Sequence, residues 1–393
     1  MSFSGDTSVP GPVSLGWPSE NLARMAHPRT LLRSELLRPR ASGHCAHRAR
    51  RSRPLRRRLA WVRLSDEQLL GVRLCDLGIT VENSRLAPYL GRLYRELESR
   101  GIGFRPHAWL SQEWFSPDGV PGLAVPFYLA HPRLERLERR IMREVEGGNS
   151  RWLMRILRHE AGHAIDNAYR LRRRRRWREV FGPASLPYPE RYRARPGSRR
   201  YVHHLGEWYA QAHPTEDFAE TFAVWLKPNS DWRKSYASWP AFSKLSLVDE
   251  LMTSVRGKSP PVANRRRIEA IGADTRTLAE VYRRKLAQRR NSGRGLAEEL
   301  LLKVFSVEPP RAGAARAATL LRSSKSELVA RAARTLGMER YSVYQILRML
   351  IDRCDALKLY VRGSRRDALR HVRWILGRVA RLYAQGETPQ LPL

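Results

Sequence analysis

Hydrophobic residues recur at helical spacing over much of the chain beyond residue 59. The clearest early example is the segment 84–99, where leucines occupy positions 86, 90, 93 and 97. Positions three or four residues apart share one face of an α-helix, so this pattern predicts an amphipathic helix with a buried face. A second helix is predicted at about Arg133–Val145, because the His131-Pro132 pair suits a helix start.

Two segments with strand character lie between these helices, at 104–110 and 119–129, on either side of the turn Ser116–Gly119. The second segment contains Pro121 and Pro126, and proline has no N–H to donate to a neighbouring strand. We therefore predict an edge strand in a small sheet, onto which an extended peptide could add. A small sheet among many helices predicts an α+β fold.

The longest helical pattern runs from Asn149 to Arg170 and contains no proline. Asn149 is a favourable residue at a helix start. Apolar residues lie on two faces of this helix, one through positions 152 and 156 and the other through positions 153, 157, 161, 164 and 168. A helix that is apolar on more than one side is normally buried, so we predict that it crosses the interior of a domain.

This helix carries the motif H-E-x-x-H at His159, Glu160 and His163. Residues i and i+4 lie one turn apart on the same face, so both imidazoles can bind one tetrahedral Zn²⁺. Glu160 then lies beside the metal, where its carboxylate can accept a proton from a water molecule held there. The alternative interpretation is two helical histidines that bond to carbonyl groups of the core.

A third ligand must come from elsewhere in the chain. Asp166 and Tyr169 stand where a metzincin has a glycine and a third histidine, which excludes that class. The other common solution is a carboxylate on a later helix. The segment 214–226 is predicted to be such a helix, with Glu216 and Glu220 one turn apart on one face, although both glutamates could instead be solvated. Weaker candidates are Asp217, Asp166, His203, His204 and His213.

The pairing of HEAGHAIDNAY with EDFAETF resembles the gluzincin group of zinc peptidases and is similar to the zinc domain of anthrax lethal factor. The wider context, from FRPHAWLSQEW to YAQAHPTEDFAETFAVWL, resembles a bacterial family of zinc-binding metallopeptidases. The first resemblance covers about Arg151–Leu226, and the second covers most of the chain from Trp61. Two departures are visible: Asp217 replaces an aromatic residue, and the stretch between His163 and Glu216 is longer than in lethal factor.

The resemblance implies a role for each matching residue. The zinc ligands would be His159, His163 and Glu216, and Glu160 would be the catalytic base. The expected chemistry is hydrolysis of a peptide bond, with a peptide or protein as substrate and Zn²⁺ as cofactor.

Three further residues complete the predicted site. Glu220, the second glutamate of the downstream motif, would hold a ligand histidine in place, and Asp166 is predicted to assist in the same way. Tyr209 lies seven residues before Glu216, the spacing that lethal factor also has. The resemblance implies that its hydroxyl stabilises the oxyanion of the reaction, although Tyr209 could equally be a packing residue.

Three regions are predicted along the chain. Residues 1–58 are rich in Pro, Ser, Gly and Arg and poor in acids, which predicts a disordered basic tail. Such a segment also resembles a transit peptide, or could bind nucleic acid. Residues 59–258 are predicted to form a zincin-like metallopeptidase domain, with a small sheet, the HExxH helix and the Glu-bearing helix. After the linker Ser259–Pro261, residues 259–393 are predicted to form an all-α accessory domain.

The net charge of +35 arises almost entirely from arginine. An arginine-rich surface suits nucleic acid, but no DNA- or RNA-binding motif accompanies it, and a GC-rich coding sequence favours arginine as well. The alternative function is therefore a basic nucleic-acid-binding or scaffold protein with a structural or vestigial zinc site. We favour the zinc metallopeptidase because Glu160, the base that such chemistry needs, is intact.

Cysteine usage and hydropathy bear on localisation. Cys45, Cys75 and Cys354 are odd in number and far apart, which is typical of a reducing compartment. No apolar run approaches the roughly 20 residues that span a bilayer, and no secretory signal is visible. We predict a cytoplasmic protein without a membrane span, and no pattern indicates its oligomeric state.

Overall fold

The computed structural model describes residues 59–189, 191–292, 296–384 and 391–392, so the predicted tail at 1–58 lies outside the described residues. The α-helices among them are α1 (Asp66–Leu70), α2 (Ala87–Ser99), α3 (Pro132–Met142), α4 (Ser150–Tyr169), α5 (Arg175–Phe181), α6 (Pro214–Leu226), α7 (Trp232–Ser235), α8 (Ala241–Val255), α9 (Leu278–Ser292), α10 (Leu296–Val304), α11 (Ala317–Ser323), α12 (Lys325–Leu336), α13 (Arg340–Ala356) and α14 (Arg365–Ala384). The strands are β1 (His107–Ser111), β2 (Gly122–Pro126), β3 (Arg191–Tyr192), β4 (Phe305–Ser306), β5 (Tyr360–Val361) and β6 (Leu391–Pro392). This mixture of many helices with small sheets is the predicted α+β class.

β1 and β2 form a two-stranded parallel sheet in which His107 pairs with Gly122. β2 is an edge strand of this two-stranded sheet, as predicted, but the prediction of an open edge is wrong. All five of its residues are buried, and Ala124 on its second edge donates its N–H to the carbonyl of Phe115 at 2.8 Å. The prolines correctly indicate an edge strand, but the chain just before the turn covers this edge at Ala124, which the sequence pattern does not reveal.

α4 begins and ends as its sequence predicts. The side chain of Asn149 accepts a hydrogen bond of 2.9 Å from the N–H of Trp152, and Arg170 adopts the left-handed conformation that ends the helix. Every residue from Ile156 to Tyr169 is buried, which confirms the prediction of an interior helix.

α6 packs directly against α4, and the contact is unusually close at Gly162. A Cβ atom on Gly162 would lie 2.9 Å from Cα of Ala219 and 3.2 Å from its carbonyl oxygen. Only a residue without a side chain fits there, so glycine at this position allows the two helix backbones to meet. All residues of α6 from Thr215 to Leu226 are buried.

Two large hydrophobic cores organise the described residues, beside a small cluster of Trp109, Phe115, Val120 and Ala124. The first extends from Trp61 to Tyr282 and includes α4, α6 and α8. The second consists mainly of residues between Leu300 and Ala380, joined by side chains from the stretch between α5 and α6. The domain boundary after residue 258 stays a prediction; the first core includes residues as far as α9.

The C-terminal region is mainly helical, but the prediction of an all-α domain is wrong. β4 and β5 pair in antiparallel fashion, with Phe305 opposite Val361. Two-residue strands are too short to leave an alternating pattern, which explains why the sequence does not reveal them.

None of the described helices combines the length and the hydropathy that a membrane crossing needs.

Candidate metal centre

α4 and α6 bring three donor atoms together in the first core. Nε2 of His159 lies 3.0 Å from Oε2 of Glu216, and Nε2 of His163 lies 3.2 Å from the same oxygen. The two Nε2 atoms are 3.2 Å apart. All three side chains are buried. Among the described residues, they form the one group of at least three His, Cys, Asp or Glu side chains that could hold a metal ion.

This triangle fits a tetrahedral zinc ion. Ligands at ~2.0–2.1 Å from Zn²⁺ in tetrahedral arrangement lie about 3.3 Å from one another, close to the spacing found here. Two nitrogens and one carboxylate oxygen are also a donor set that zinc favours. The distances and the donor atoms therefore both fit a zinc site with three protein ligands.

Glu220 fixes the orientation of the His159 ring. Its Oε1 lies 3.0 Å from Nδ1 of His159, and its Oε2 accepts the N–H of Leu205 at 2.8 Å. In the neutral form of the ring, which is the form that binds a metal, Nδ1–H donates to Glu220 and Nε2 keeps its lone pair on the side of Glu216 and His163. Such a carboxylate–histidine pair is the usual support of a metal ligand.

The charges of this group favour a cation. Burial disfavours the charged form of His159. Its hydrogen bonds with Glu216 and Glu220 outweigh this effect and raise the pKa of His159 to about 10. Burial likewise opposes ionisation of Glu216, yet the neighbouring histidines lower the pKa of Glu216 well below its ordinary value. Two buried carboxylates thus stabilise positive charge between them, which a metal ion can supply.

Glu160 is held by a residue that the sequence placed only in a turn. Oγ of Ser116 donates to Oε2 of Glu160 at 2.9 Å and lies 3.1 Å from its carbonyl oxygen. Asn167 of α4 binds the carbonyl of Pro117 through its Nδ2 at 3.0 Å and accepts the N–H of Gly119 at 3.1 Å. The turn is therefore fastened to the helix that carries the motif. Burial raises the pKa of Glu160.

Two tyrosines approach the triangle from the stretch between α5 and α6. The Tyr209 ring lies 5.6 Å from that of His159, centroid to centroid. Burial, followed by the charge of Glu216, raises the pKa of Tyr209 well above its ordinary value. The hydroxyl of Tyr188 donates to Oε1 of Glu216 at 2.7 Å, and its ring stacks on His213 at 3.8 Å. Sequence reasoning did not identify Tyr188.

Asp166 occupies a different environment from the predicted one. Its Oδ2 accepts from Nε of Arg172 at 2.6 Å, and its Oδ1 accepts the Arg172 N–H at 2.8 Å. Arg172 also binds Asp118 at 2.7 Å. The carboxylate of Asp166 thus contacts Arg172 rather than His159 or His163, because the chain turns back at the end of α4.

The weaker ligand candidates contact other groups in the described structure. The contacts are of His203 with Tyr341, of His204 with the carbonyl of Arg155, of His213 with Thr215 and the carbonyl of Leu186, and of Asp217 with Lys244.

The contacts of Ser116 and Tyr188 left no signal in the sequence. Ser116 is 44 residues from Glu160, and Tyr188 is 28 residues from Glu216. A serine in a turn and a tyrosine in a loop are common, and no spacing rule links them to a metal motif. The only available hint was the concentration of tyrosines before α6.

Comparison with known proteins bears on the segment that carries the centre. Residues 133–239, which include α4 and α6, match the model of the family described as "Putative zinc-binding metallo-peptidase". No match was found among curated proteins or among solved structures. The part of the chain that holds His159, His163 and Glu216 is thus similar to a family of zinc-binding metallopeptidases, which supports membership of that family.

Proposed function

We propose that this protein is a zinc-dependent metallopeptidase that hydrolyses peptide bonds. The observation that carries the proposal is the triangle of His159, His163 and Glu216 with Glu160 beside it, within the segment that matches the family. We assign the site to the gluzincin type, with a zincin-like arrangement of the HExxH helix and the Glu-bearing helix.

His159, His163 and Glu216 are the proposed zinc ligands, and Glu220 supports His159. When bound, Zn²⁺ would supply Lewis acidity, lowering the pKa of a water molecule towards ~7 and polarising the scissile carbonyl.

Glu160 is the proposed general base. It follows His159 directly and therefore projects about 100° away from it around the helix, so it does not join the three donors. Its buried carboxylate accepts a proton from the attacking water and returns a proton to the leaving amine. The hydrogen bond from Ser116 restricts the orientation of this carboxylate.

Tyr209 is the proposed oxyanion partner. Burial keeps its phenol protonated, and only a protonated phenol can donate a hydrogen bond to the developing oxyanion. The distance of 5.6 Å between its ring and that of His159, a proposed ligand, supports this role.

The decisive experiment compares the wild type with Glu160→Gln on a proteome-derived peptide library. Glutamine keeps the shape of the side chain and removes the basic carboxylate. We expect unchanged zinc content and unchanged thermal unfolding, with hydrolysis of the best library peptide reduced by roughly a hundredfold or more. Equal cleavage by both proteins would show that the hydrolase mechanism is wrong and would favour a contaminating protease or a structural metal.

A further inference from the structure

The stretch between α5 and α6 carries both tyrosines of the candidate centre, and several of its apolar side chains are buried in the second core. Tyr192, Trp208 and Ala212 are members of that core, and Tyr188 and Tyr209 pack against it. The C-terminal helices therefore support the segment that faces the metal ligands.

The backbone directly before Tyr209 adopts an unfavourable conformation. Glu207 and Trp208 both lie in the left-handed region, with φ of 56° and 59°. Residues with a Cβ atom rarely adopt this conformation, so two in succession persist only where surrounding contacts hold them. The chain then enters the short 3-10 turn Tyr209–Gln211. The position of Tyr209 thus depends on what holds the two residues before it.

Contacts with the second core hold this backbone. The Trp208 ring is buried and meets Tyr383 of α14 edge to face, with centroids 5.2 Å apart and planes at 73°. The hydroxyl of Tyr192, also in that core, donates to the carbonyl of Glu207 at 3.0 Å. One residue is therefore anchored through its side chain and the other through its backbone.

A partly buried ion cluster joins the two cores nearby. Nη1 of Arg353 on α13 binds Oε1 of Glu144 at 2.7 Å, and its Nε binds Oε2 of Glu298 on α10 at 3.0 Å. Glu144 lies between α3 and α4. The C-terminal helices are thus tied both to the stretch that leads into the motif helix and to the segment that carries Tyr209.

We infer that the C-terminal helical core positions the candidate centre for catalysis. Through Tyr383 and Trp208 it holds the backbone at 207–208, and so places Tyr209 beside His159. This inference rests on the proposed role of Tyr209 in peptide hydrolysis. Tyr383 is accordingly a positioning residue and Trp208 its intermediary, and the metal ligands on α4 and α6 do not depend on this contact.

The test uses Tyr383→Ala, which removes the ring that meets Trp208, and Tyr383→Phe, which keeps it. Tyr344→Ala is the matched control, because Tyr344 also packs against the second core but contacts Lys325. Three quantities are measured in the full chain: zinc content, hydrogen–deuterium exchange of the peptide 204–213, and kcat and KM for the best library peptide.

We expect Tyr383→Ala to raise early deuterium uptake at 204–213 several-fold and to lower kcat about tenfold, with KM and zinc content nearly unchanged. Tyr383→Phe and Tyr344→Ala should resemble the wild type in uptake and kcat. In a Tyr209→Phe background, Tyr383→Ala should lower kcat less than about twofold further, because the group that it positions is already absent.

Unchanged uptake at 204–213 in Tyr383→Ala would overturn the inference, as would a full additional loss of kcat in the Tyr209→Phe background. An equal effect of Tyr344→Ala would also overturn it, since the cause would then be general weakening of the second core. If the wild type cleaved no library peptide, the proposed function would fail, and so would the catalytic part of this inference. Deuterium uptake would still decide whether Tyr383 holds the segment.

Discussion

The hydroxyl of Tyr188 donates a 2.7 Å hydrogen bond to Oε1 of Glu216, while Oε2 of the same carboxylate lies within 3.2 Å of both motif histidines. One oxygen is thus held by a phenol, and the other faces the proposed metal position. The carboxylate cannot rotate freely, so less conformational freedom is lost when a metal binds.

Tyr188→Phe should therefore weaken zinc binding by roughly 10- to 100-fold, the range typical of partners that hold a metal ligand. Competition with a chromophoric chelator measures the affinity. Tyr209→Phe is the control, because the proposed role of Tyr209 is in the reaction and not in holding Glu216. Wild-type affinity in Tyr188→Phe would show that the hydrogen bond does not contribute to binding.

Zinc content tests the assignment of the three donors. Purified protein should contain about one zinc per chain, and His159→Ala, His163→Ala or Glu216→Ala should each lower this sharply, since two donors rarely hold the metal. Glu220→Ala should lower it less, because Glu220 contacts a ligand rather than the metal position. Elemental analysis after dialysis gives the answer, and full retention in Glu216→Ala would remove Glu216 from the ligand set.

The hydrogen bond between Ser116 and Glu160 predicts a loss of turnover without a loss of metal. Ser116→Ala should lower kcat by roughly three- to thirtyfold, because the base is then less well oriented, and should leave zinc content unchanged. Ser111→Ala is a matched control: Ser111 is equally buried, but its hydroxyl binds the carbonyl of Glu269. Equal kcat values for Ser116→Ala and the wild type would remove Ser116 from the catalytic arrangement.

The pH dependence of stability should reflect Glu146. Burial, with the charges of Glu144 and Glu113, raises the pKa of Glu146 from 4.5 to about 7. Between these values the folded protein retains a proton that the unfolded chain releases, so this group lowers the free energy of unfolding as pH rises from 4.5 to 7. The loss is complete above about pH 7 and amounts to roughly 1–3 kcal/mol.

Glu146→Gln should remove this contribution, so the variant should become more stable than the wild type as pH rises from 5 to 8. Thermal unfolding at pH 5, 6, 7 and 8 provides the comparison, with Glu67→Gln on the exposed side of α1 as control. A difference between variant and wild type that did not change with pH would contradict the raised pKa.

The helices of the centre could be predicted from local patterns. α6 spans the predicted segment 214–226, and α4 begins after Asn149, as its capping residue indicates. Both carry many apolar residues with a clear start signal, so burial and helix formation favour the same outcome. The need for a third ligand pointed to Glu216 and Glu220 on the later helix, and the resemblance singled out Glu216 as the ligand. Helical periodicity alone does not say which two helices will pack.

Contacts between distant parts of the chain could not be predicted. Arg172 belongs to a run of five arginines, and it binds Asp166 and Asp118. Five identical residues in a row give no indication of which guanidinium, if any, is buried. Its ion pair with Asp118 spans 54 residues, and only the folded chain brings those two side chains together.

Gly162 has no side chain that could bind a metal or react, yet a sequence that forms such a centre needs glycine at this position. Its missing Cβ is what permits α4 and α6 to come within contact distance at Ala219. A bulkier residue between Glu160 and His163 would separate the helix that supplies the imidazoles from the helix that supplies the carboxylates. A search for other proteins with this architecture should therefore require H-E-x-G-H together with a small residue directly before the second downstream glutamate, since this packing constraint adds a criterion that the ligand spacing alone does not contain.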